Sequence, residues 1–499
     1  MQVDTNRLGQ FVRNFLAVCA GSYGALILSF LISIVLTRRL GAEMFGRLAL
    51  LLMAPQILLL LIANWTQVGF VRNGAQEFAD QGTVARTFWA RVVIMVPLVS
   101  VTVLVFAAFR EPLSAYLSVP QWGLALVFGH FLLVCVENGL GAVFQARQEM
   151  FRYGTVIFLE KAIALILVTV IPLPWISQPL TVIACYAASA LILSTWAVMV
   201  LGRDMFLPVA YDPSAARTLL DFSLPLTLMS VAGLLGTNGI DLMLLKGIRS
   251  VSDVGLYALA GQLAGAIQQV SIMFSTLLLP HFSIMVAGGQ NENVHAFVQR
   301  ALPYWFFGVS ALFSIALVVA GPLMPFIFGE SFRPAYPAFA MLLMASSALA
   351  LYNSLDPLLA AWGKTWVLAK IFLGSALVKL ALVFPMIHAW GIGGAALSTV
   401  CAYWFSALSV MIVVMRRTGV RLTSMVLLAS PVAVACVTVL LLEGRDYYLF
   451  TVLGVATTMF GLVNRMRLFQ EADRLWLREL RIAILRSPDA TLVQGRHPG

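Results

Sequence analysis

Gly46-Arg47-Leu48-Ala49-Leu50 and Gly255-Leu256-Tyr257-Ala258-Leu259 read as imperfect copies of one another. The first follows the apolar run 25–36 and the basic turn Thr37-Arg38-Arg39-Leu40-Gly41. The second follows the stretch 239–245 and the turn Lys246-Gly247-Ile248-Arg249. Glycine, alanine and leucine coincide at a shift of 209 residues, and both copies lie among segments apolar enough to cross a bilayer. Duplicated helical bundles that rock against each other are a common carrier architecture, so transport is the leading class before any single residue is weighed.

The composition supports that setting. Of 499 residues, 61% are hydrophobic and 11% charged, and the mean hydropathy is +0.92. A soluble domain carries about a quarter charged residues, so most of this surface faces lipid. The formal charge of +10 is spread between apolar segments as a topology signal, which argues against nucleic acid as a partner. Cys19, Cys135, Cys185, Cys401 and Cys436 are widely spaced, each within an apolar span. They read as small hydrophobes rather than a disulfide framework or zinc site. The N-terminal apolar stretch runs to Leu36 without a small-residue cleavage site, so it reads as a retained first helix.

A hydrocarbon core about 30 Å thick needs roughly twenty apolar residues per helix. On that measure the chain holds fourteen spans: 12–36, 45–66, 89–109, 122–145, 155–175, 180–201, 223–245, 254–280, 302–326, 338–360, 366–388, 392–415, 424–442 and 447–464. With the N-terminus inside, 22 basic residues fall in cytoplasmic segments and 8 in outer links, which places both termini in the cytoplasm. The link 202–222 separates spans one to six from seven to twelve. The expected division is therefore a six-helix bundle (1–205), a second six-helix bundle (206–420), a further helix pair (421–465), and a cytoplasmic amphipathic helix and tail (466–499). Because six is even, the bundles enter the membrane in the same sense, related by a pseudo-twofold axis along its normal. The fold class is an all-α integral membrane protein.

At this level the chain resembles a known family. The marks are the run 37–46 (Thr-Arg-Arg-Leu-Gly-Ala-Glu-Met-Phe-Gly), Asp221-Phe222-Ser223-Leu224-Pro225-Leu226 opening span seven, Asp241 followed by Val254-Gly255-Leu256-Tyr257-Ala258-Leu259-Ala260, Leu279-Pro280, and the run 391–399 opening span twelve. Together with the six-plus-six-plus-two layout, they resemble the polysaccharide-repeat-unit flippases of the multidrug/oligosaccharidyl-lipid/polysaccharide exporter superfamily. The resemblance implies translocation of an undecaprenyl-pyrophosphate-linked oligosaccharide to the outer leaflet of a bacterial plasma (inner) membrane, for export of a surface polysaccharide. It implies a lipid-linked oligosaccharide and membrane lipids as partners, leaves a polysaccharide polymerase or assembly complex open, and implies no cofactor. Its motifs are packing and turn motifs, so they mark the fold and not the cargo.

Candidate site residues rest on this sequence. Ionisable side chains near the bilayer centre cost about 2.5–3.5 kcal/mol on insertion scales, and those that persist usually face a cavity or a partner. Glu137 and Asn138 sit in span four, Glu160 and Lys161 in span five, Asn353 and Asp356 in span ten, and Lys370 and Lys379 in span eleven. Each bundle thus carries an acid on one helix and a lysine on the next. Lys379, the deepest, is the leading candidate for the pyrophosphate, with Arg72 at the inner end of span two offering a planar fork and Lys161 joining it. Asn353, Tyr257 and Gln262 are suited to sugar hydroxyls. Asp241, Asp356, Glu137 and Glu160 are candidates for ion coupling. The plainer readings are buried ion pairs that lock helix packing, and for Asp241 a pairing with Lys246 or Arg249 at the outer rim. Lys370 reads as a snorkelling interface residue.

Gly363-Lys364-Thr365 lacks the upstream glycine of a phosphate-binding loop, since Leu358 stands there, so no ATPase is implied. An ion-coupled multidrug or cation antiporter on the same fold is the alternative, because fold does not fix cargo. A multi-span polymerase or ligase is disfavoured, since no outer link is long enough to carry reactive groups. The chain therefore reads as a transporter, not an enzyme.

Overall fold

The computed structural model describes residues 5–465 apart from 177, 210–211, 237, 290, 420–422 and 442–446. The amphipathic helix and tail expected over 466–499 lie outside the described residues. In chain order the helices are α1 (Thr5–Leu59), α2 (Trp65–Gln81), α3 (Ala85–Ala108), α4 (Arg110–Leu117), α5 (Gln121–Ala146), α6 (Met150–Val170), α7 (Leu173–Ile176), α8 (Pro179–Leu201) and α9 (Pro213–Gly236). They continue with α10 (Asn238–Ile248), α11 (Val251–Ala287), α12 (Asn291–Ala296), α13 (Leu302–Phe328), α14 (Tyr336–Ala361), α15 (Thr365–Thr418), α16 (Thr423–Leu428), α17 (Ser430–Leu441) and α18 (Tyr447–Arg465). In lipid every backbone polar group must be satisfied within the segment, and helices do this.

Among the described residues, nine helical runs are long and apolar enough to cross a membrane. Two of them, Val18–Gln81 and Thr365–Thr418, each hold two of the spans read from the sequence. Spans one and two are continuous through a kink at Gly41 (φ 70°, ψ 176°), and spans eleven and twelve through one at Gly391 (φ 56°, ψ −129°). Both residues occupy the left-handed half of φ space that glycine enters without a Cβ penalty. Span seven is divided between α9 and α10, and the shorter α17 and α18 complete the set.

The basic turns beside these kinks do structural work. Arg39 donates to the carbonyls of Val168 (3.0 Å), Thr169 (3.3 Å) and Ile171 (3.3 Å) at the C-terminus of α6. Arg249 donates to Ile387 (3.2 Å) and His388 (2.8 Å), just before the Gly391 kink. Span five and span eleven thus end under an arginine from the equivalent basic turn. Each cation meets carbonyls left open at a helix end and the negative pole of the helix dipole.

The two halves of the sequence meet at both ends. Lipid tails are as apolar as leucine, so close fit rather than water exclusion holds such helices together. At the end carrying the two kinks, α1 and α11 approach until Gly46 and Gly255 touch. A Cβ on Gly46 would lie 2.8 Å from the Gly255 nitrogen, and one on Gly255 would lie 2.9 Å from the Gly46 nitrogen. Each would also collide with a carbonyl oxygen, of Val251 and Ala42 respectively. Arg38 reaches across to donate to the carbonyls of Phe326 and Ile327. Phe45 and Phe332 pack edge to face at 5.7 Å, and the Tyr116 hydroxyl donates to the Met243 carbonyl at 2.6 Å. At the opposite end, which carries the link between the halves, the Arg72 guanidinium lies 4.7 Å from the centre of the Phe222 ring, and Arg86 pairs with Asp212. The space between the two closures is the central cavity.

Candidate functional site

A cavity of about 670 Å³ lies between α1, α5, α6, α8 and α11. Its charged lining consists of Glu137 on α5 with Glu160 and Lys161 on α6. Lys161 Nζ is 2.7 Å from Glu160 Oε1 and 5.5 Å from the centre of the Tyr186 ring, so its cation is already engaged. The amides are Gln56, Gln67, Asn138 and Gln262. His130 also lines the cavity; it is buried, and its Nδ1 has no hydrogen-bond partner among the described residues.

One wall is built on a local departure from the α-helix. Residues Leu60–Asn64 form a π-helical turn, the kind of single-turn insertion that frequently marks a functional site. The Ala63 carbonyl accepts from Thr66 Oγ1 (2.8 Å) and from Arg91 of α3 (3.1 Å). Arg91 is buried; it also donates to Thr66 Oγ1 at 3.0 Å and to Asn138 Oδ1 at 2.8 Å. With its oxygen held this way, the Asn138 amide nitrogen points to Gln67 Oε1 at 3.1 Å and Asn64 Oδ1 at 3.4 Å. The result is a row of oriented amides along the cavity, fixed from behind by one guanidinium. In sequence Arg91 reads as one of the 22 cytoplasmic topology residues, and its place two residues into span three is the signal that sets it apart from a surface charge.

A second cavity of about 440 Å³ adjoins the first and shares Ser29, Ile157 and Gln262 with it. It lies between α1 and α11, with Leu26, Phe30, Leu263 and Ala266 among its apolar lining. Gln262 stands at the junction and donates to Ser33 Oγ across the halves at 2.6 Å.

The expected site residues divide into two groups. Glu137, Glu160, Lys161, Tyr257 and Gln262 line the central cavity; Lys379, Asp241, Arg72, Asn353 and Asp356 are not among its lining. Lys379 Nζ is 3.0 Å from Asp241 Oδ2, with the two side chains 1% and 0% exposed. The same carboxylate oxygen accepts from Tyr257 at 2.6 Å and Thr399 at 3.4 Å. Asp241 therefore pairs with Lys379, and not with Lys246 or Arg249 at the rim as its sequence position allowed. The plainer reading of Lys379 as a packing ion pair describes this state, although its partner is on α10 rather than the Asp356 helix. Asp356 accepts from Ser275 at 3.2 Å and Asn353 donates to Ser271 at 3.4 Å, joining α14 to α11. Arg72 is exposed at the linker end, outside the cavity. Lys370 is exposed, as a snorkelling residue would be.

Among the described residues the chain is all-helical, with apolar helices long enough to cross a membrane many times, a glycine seam between its repeated halves and a polar cavity between its helices. The family model described as "Polysaccharide biosynthesis protein" matches residues 11–286, more than half of the chain, and the chain belongs to that family. Among solved structures, the fold is similar to the lipid II flippase MurJ in an inward closed conformation, with a TM-score of 0.67 at 10% identity over 90% of this chain and 98% of that one. It is similar to an inward-facing multidrug resistance transporter of the MATE family, with a TM-score of 0.63 at 11% identity over 79% and 94% of the two chains. The Vibrio cholerae MATE transporter VcmN in its bent form gives a TM-score of 0.50 at 16% identity, over 82% and 99%. At such identities the likeness is one of fold. No curated protein matches.

Proposed function

We propose that the protein flips an undecaprenyl-pyrophosphate-linked oligosaccharide from the cytoplasmic to the outer leaflet of a bacterial inner membrane, by alternating access between a first bundle (1–205) and a second (206–420). The observation that carries this reading is the junction of the two cavities. A polar chamber lined with amides, hydroxyls and carboxylates suits a saccharide, and the apolar cleft between α1 and α11 suits a polyprenyl chain that stays in the membrane. Gln262 at the junction would contact the part of the substrate where sugar gives way to lipid. Membership of a polysaccharide biosynthesis family supports the saccharide as cargo.

In this mechanism Arg72, exposed at the linker end on the expected cytoplasmic side, meets the pyrophosphate as the head group arrives. The oriented amides of Gln67 and Asn138 and the Tyr257 and Gln262 side chains grade the sugar. Glu137 and Glu160 are the groups best placed for proton or cation coupling, since both face the cavity. Lys379 and Asp241 hold α10, α11 and α15 together in the closed state; a direct role for Lys379 on the pyrophosphate requires that pair to open. Asn353 and Asp356 act in the α11–α14 seam, where a change in their partners would accompany rocking.

The second reading, an ion-coupled multidrug or cation antiporter, is favoured by one observation: the cavity holds two carboxylates and one lysine, which is itself paired. Deleting the protein in its host separates the two. A flippase leaves a lipid-linked saccharide accumulated on the cytoplasmic leaflet. Normal distribution of that lipid, together with new drug sensitivity, would assign the antiporter instead.

A further inference from the structure

Resting on the flippase reading, we infer that the cavity is built for a saccharide head group without carboxylates, one whose sugars are neutral or bear a free amine. The argument is a count of charge and of hydrogen-bonding groups at the chamber wall.

Among the described residues, Lys161 is the one Lys or Arg lining the chamber, and it is held by Glu160 at 2.7 Å. Arg91 stands behind the wall with Nε and one terminal nitrogen committed to Thr66, Ala63 and Asn138. The third acidic or basic group, Glu137, makes no ion pair among the described residues. An arriving uronate would meet one carboxylate without a matching cation, one pair already closed, and no free guanidinium. Burying a charge without a partner is strongly unfavourable. An uncharged sugar faces the opposite situation. Its hydroxyl and acetamido groups both donate and accept, as do the amides of Gln56, Gln67, Asn138 and Gln262. The buried, unpartnered Nδ1 of His130 is a further group a hydroxyl can satisfy. A free amine gains Glu137 as a counter-ion. The pyrophosphate, which joins sugar to lipid in every such substrate, falls at the junction of the two cavities beside Gln262 and is the same whichever sugar is carried, so it drops out of a comparison between head groups.

The test uses the full-length protein in proteoliposomes and three polyprenyl-pyrophosphate saccharides of equal size. Their terminal sugar is N-acetylglucosamine, glucosamine or glucuronic acid, and the readout is the rate at which that sugar becomes accessible from the opposite side. The neutral and amino forms are expected to flip at least tenfold faster than the uronate. In Glu137→Gln the ratio of the amino to the neutral rate should fall severalfold, whatever the change in absolute rate. Equal rates for all three, or a preference for the uronate, would overturn the inference while leaving the flippase reading intact. Failure to move any of them above protein-free vesicles would overturn the flippase reading itself, and the inference with it.

Discussion

Gly46 and Gly255 lie against each other backbone to backbone, and they do so reciprocally. Gly46 faces Val251 and the Gly255 nitrogen; Gly255 faces Ala42 and the Gly46 nitrogen. Residues 42 and 251 are separated by the same 209-residue shift as 46 and 255. A contact in which i meets j and j meets i marks a local twofold axis, as in a symmetric dimer interface, here formed within one chain. The repeat therefore does more than duplicate a helix pair: its two copies are each other's partner at one end of the cavity.

Replacing either glycine tests how tightly that seam is set. The obstacle is backbone, which cannot swing aside as a side chain does. Gly46→Ala or Gly255→Ala is expected to cost about 1–3 kcal/mol in the overpacking range, seen as a lower unfolding temperature in detergent. An unchanged melting temperature would show that the seam is looser than described.

Asp241 and Lys379 give a prediction that separates structure from transport. Breaking a buried pair by removing one member costs about 3–5 kcal/mol. Asp241→Asn and Lys379→Met should each destabilise strongly, while the double substitution Asp241→Leu with Lys379→Met should recover much of the loss. If the recovered double variant also flips substrate, Lys379 is a packing cation. A stable double variant with no transport would return Lys379 to the pyrophosphate.

How much of this was legible beforehand follows from what each residue needs. The 209-residue repeat was readable because a close backbone approach demands glycine at both copies. The helical class and the span count followed from apolar lengths that lipid imposes. The cavity acids and Lys161 were readable because a charge in a span must face a cavity or a partner. Which of the two applied was not readable for Lys379, since Asp241 is distant in sequence and only folding brings α10 against α15. The basic turns read as topology signals, yet Arg39 and Arg249 bind carbonyls at helix ends, a role that no composition pattern distinguishes. Arg91 differs from them, since its place inside span three sets it apart from a surface charge.

Arg91 supplies the third prediction. Its fork serves three acceptors at once, which a lysine ammonium does not reproduce. Arg91→Ala leaves buried partners unsatisfied, at about 1–3 kcal/mol for such a group. Because Arg91 acts through Asn138, its loss should raise the half-saturating substrate concentration more than it lowers the maximal flipping rate. Arg91→Lys should rescue little of this. A lower maximal rate with an unchanged half-saturating concentration would argue against a positioning role.

The linker end carries the pH prediction. The Ser214 hydroxyl and the backbone at Ser214 and Ala215 hold the Asp212 carboxyl below its ordinary range, with Arg86 adding to the effect. A depressed acid contributes its stabilisation above the unfolded value, near 3.9 for aspartate, and loses it only as pH falls through the lower folded value. Attachment of the link, read as tryptic protection at Arg203, should be constant from neutral pH to about 5 and weaken only below about 4, checked with an acid-active protease. Asp212→Asn should be open throughout. Loosening of the wild type near neutrality would contradict the assignment.

Under alternating access, substrate crosses only if the two halves separate at the kink end. Tyr116 and Met243 join the halves there, outside the cavity lining, with the Tyr116 hydroxyl 2.6 Å from the Met243 carbonyl. With the five native cysteines replaced, Tyr116→Cys and Met243→Cys can be bridged by a short, reducible bifunctional thiol reagent in proteoliposomes holding a lipid-linked saccharide. Flipping should stop when the bridge forms and return when it is reduced. Flipping at the normal rate through the bridged protein would contradict alternating access.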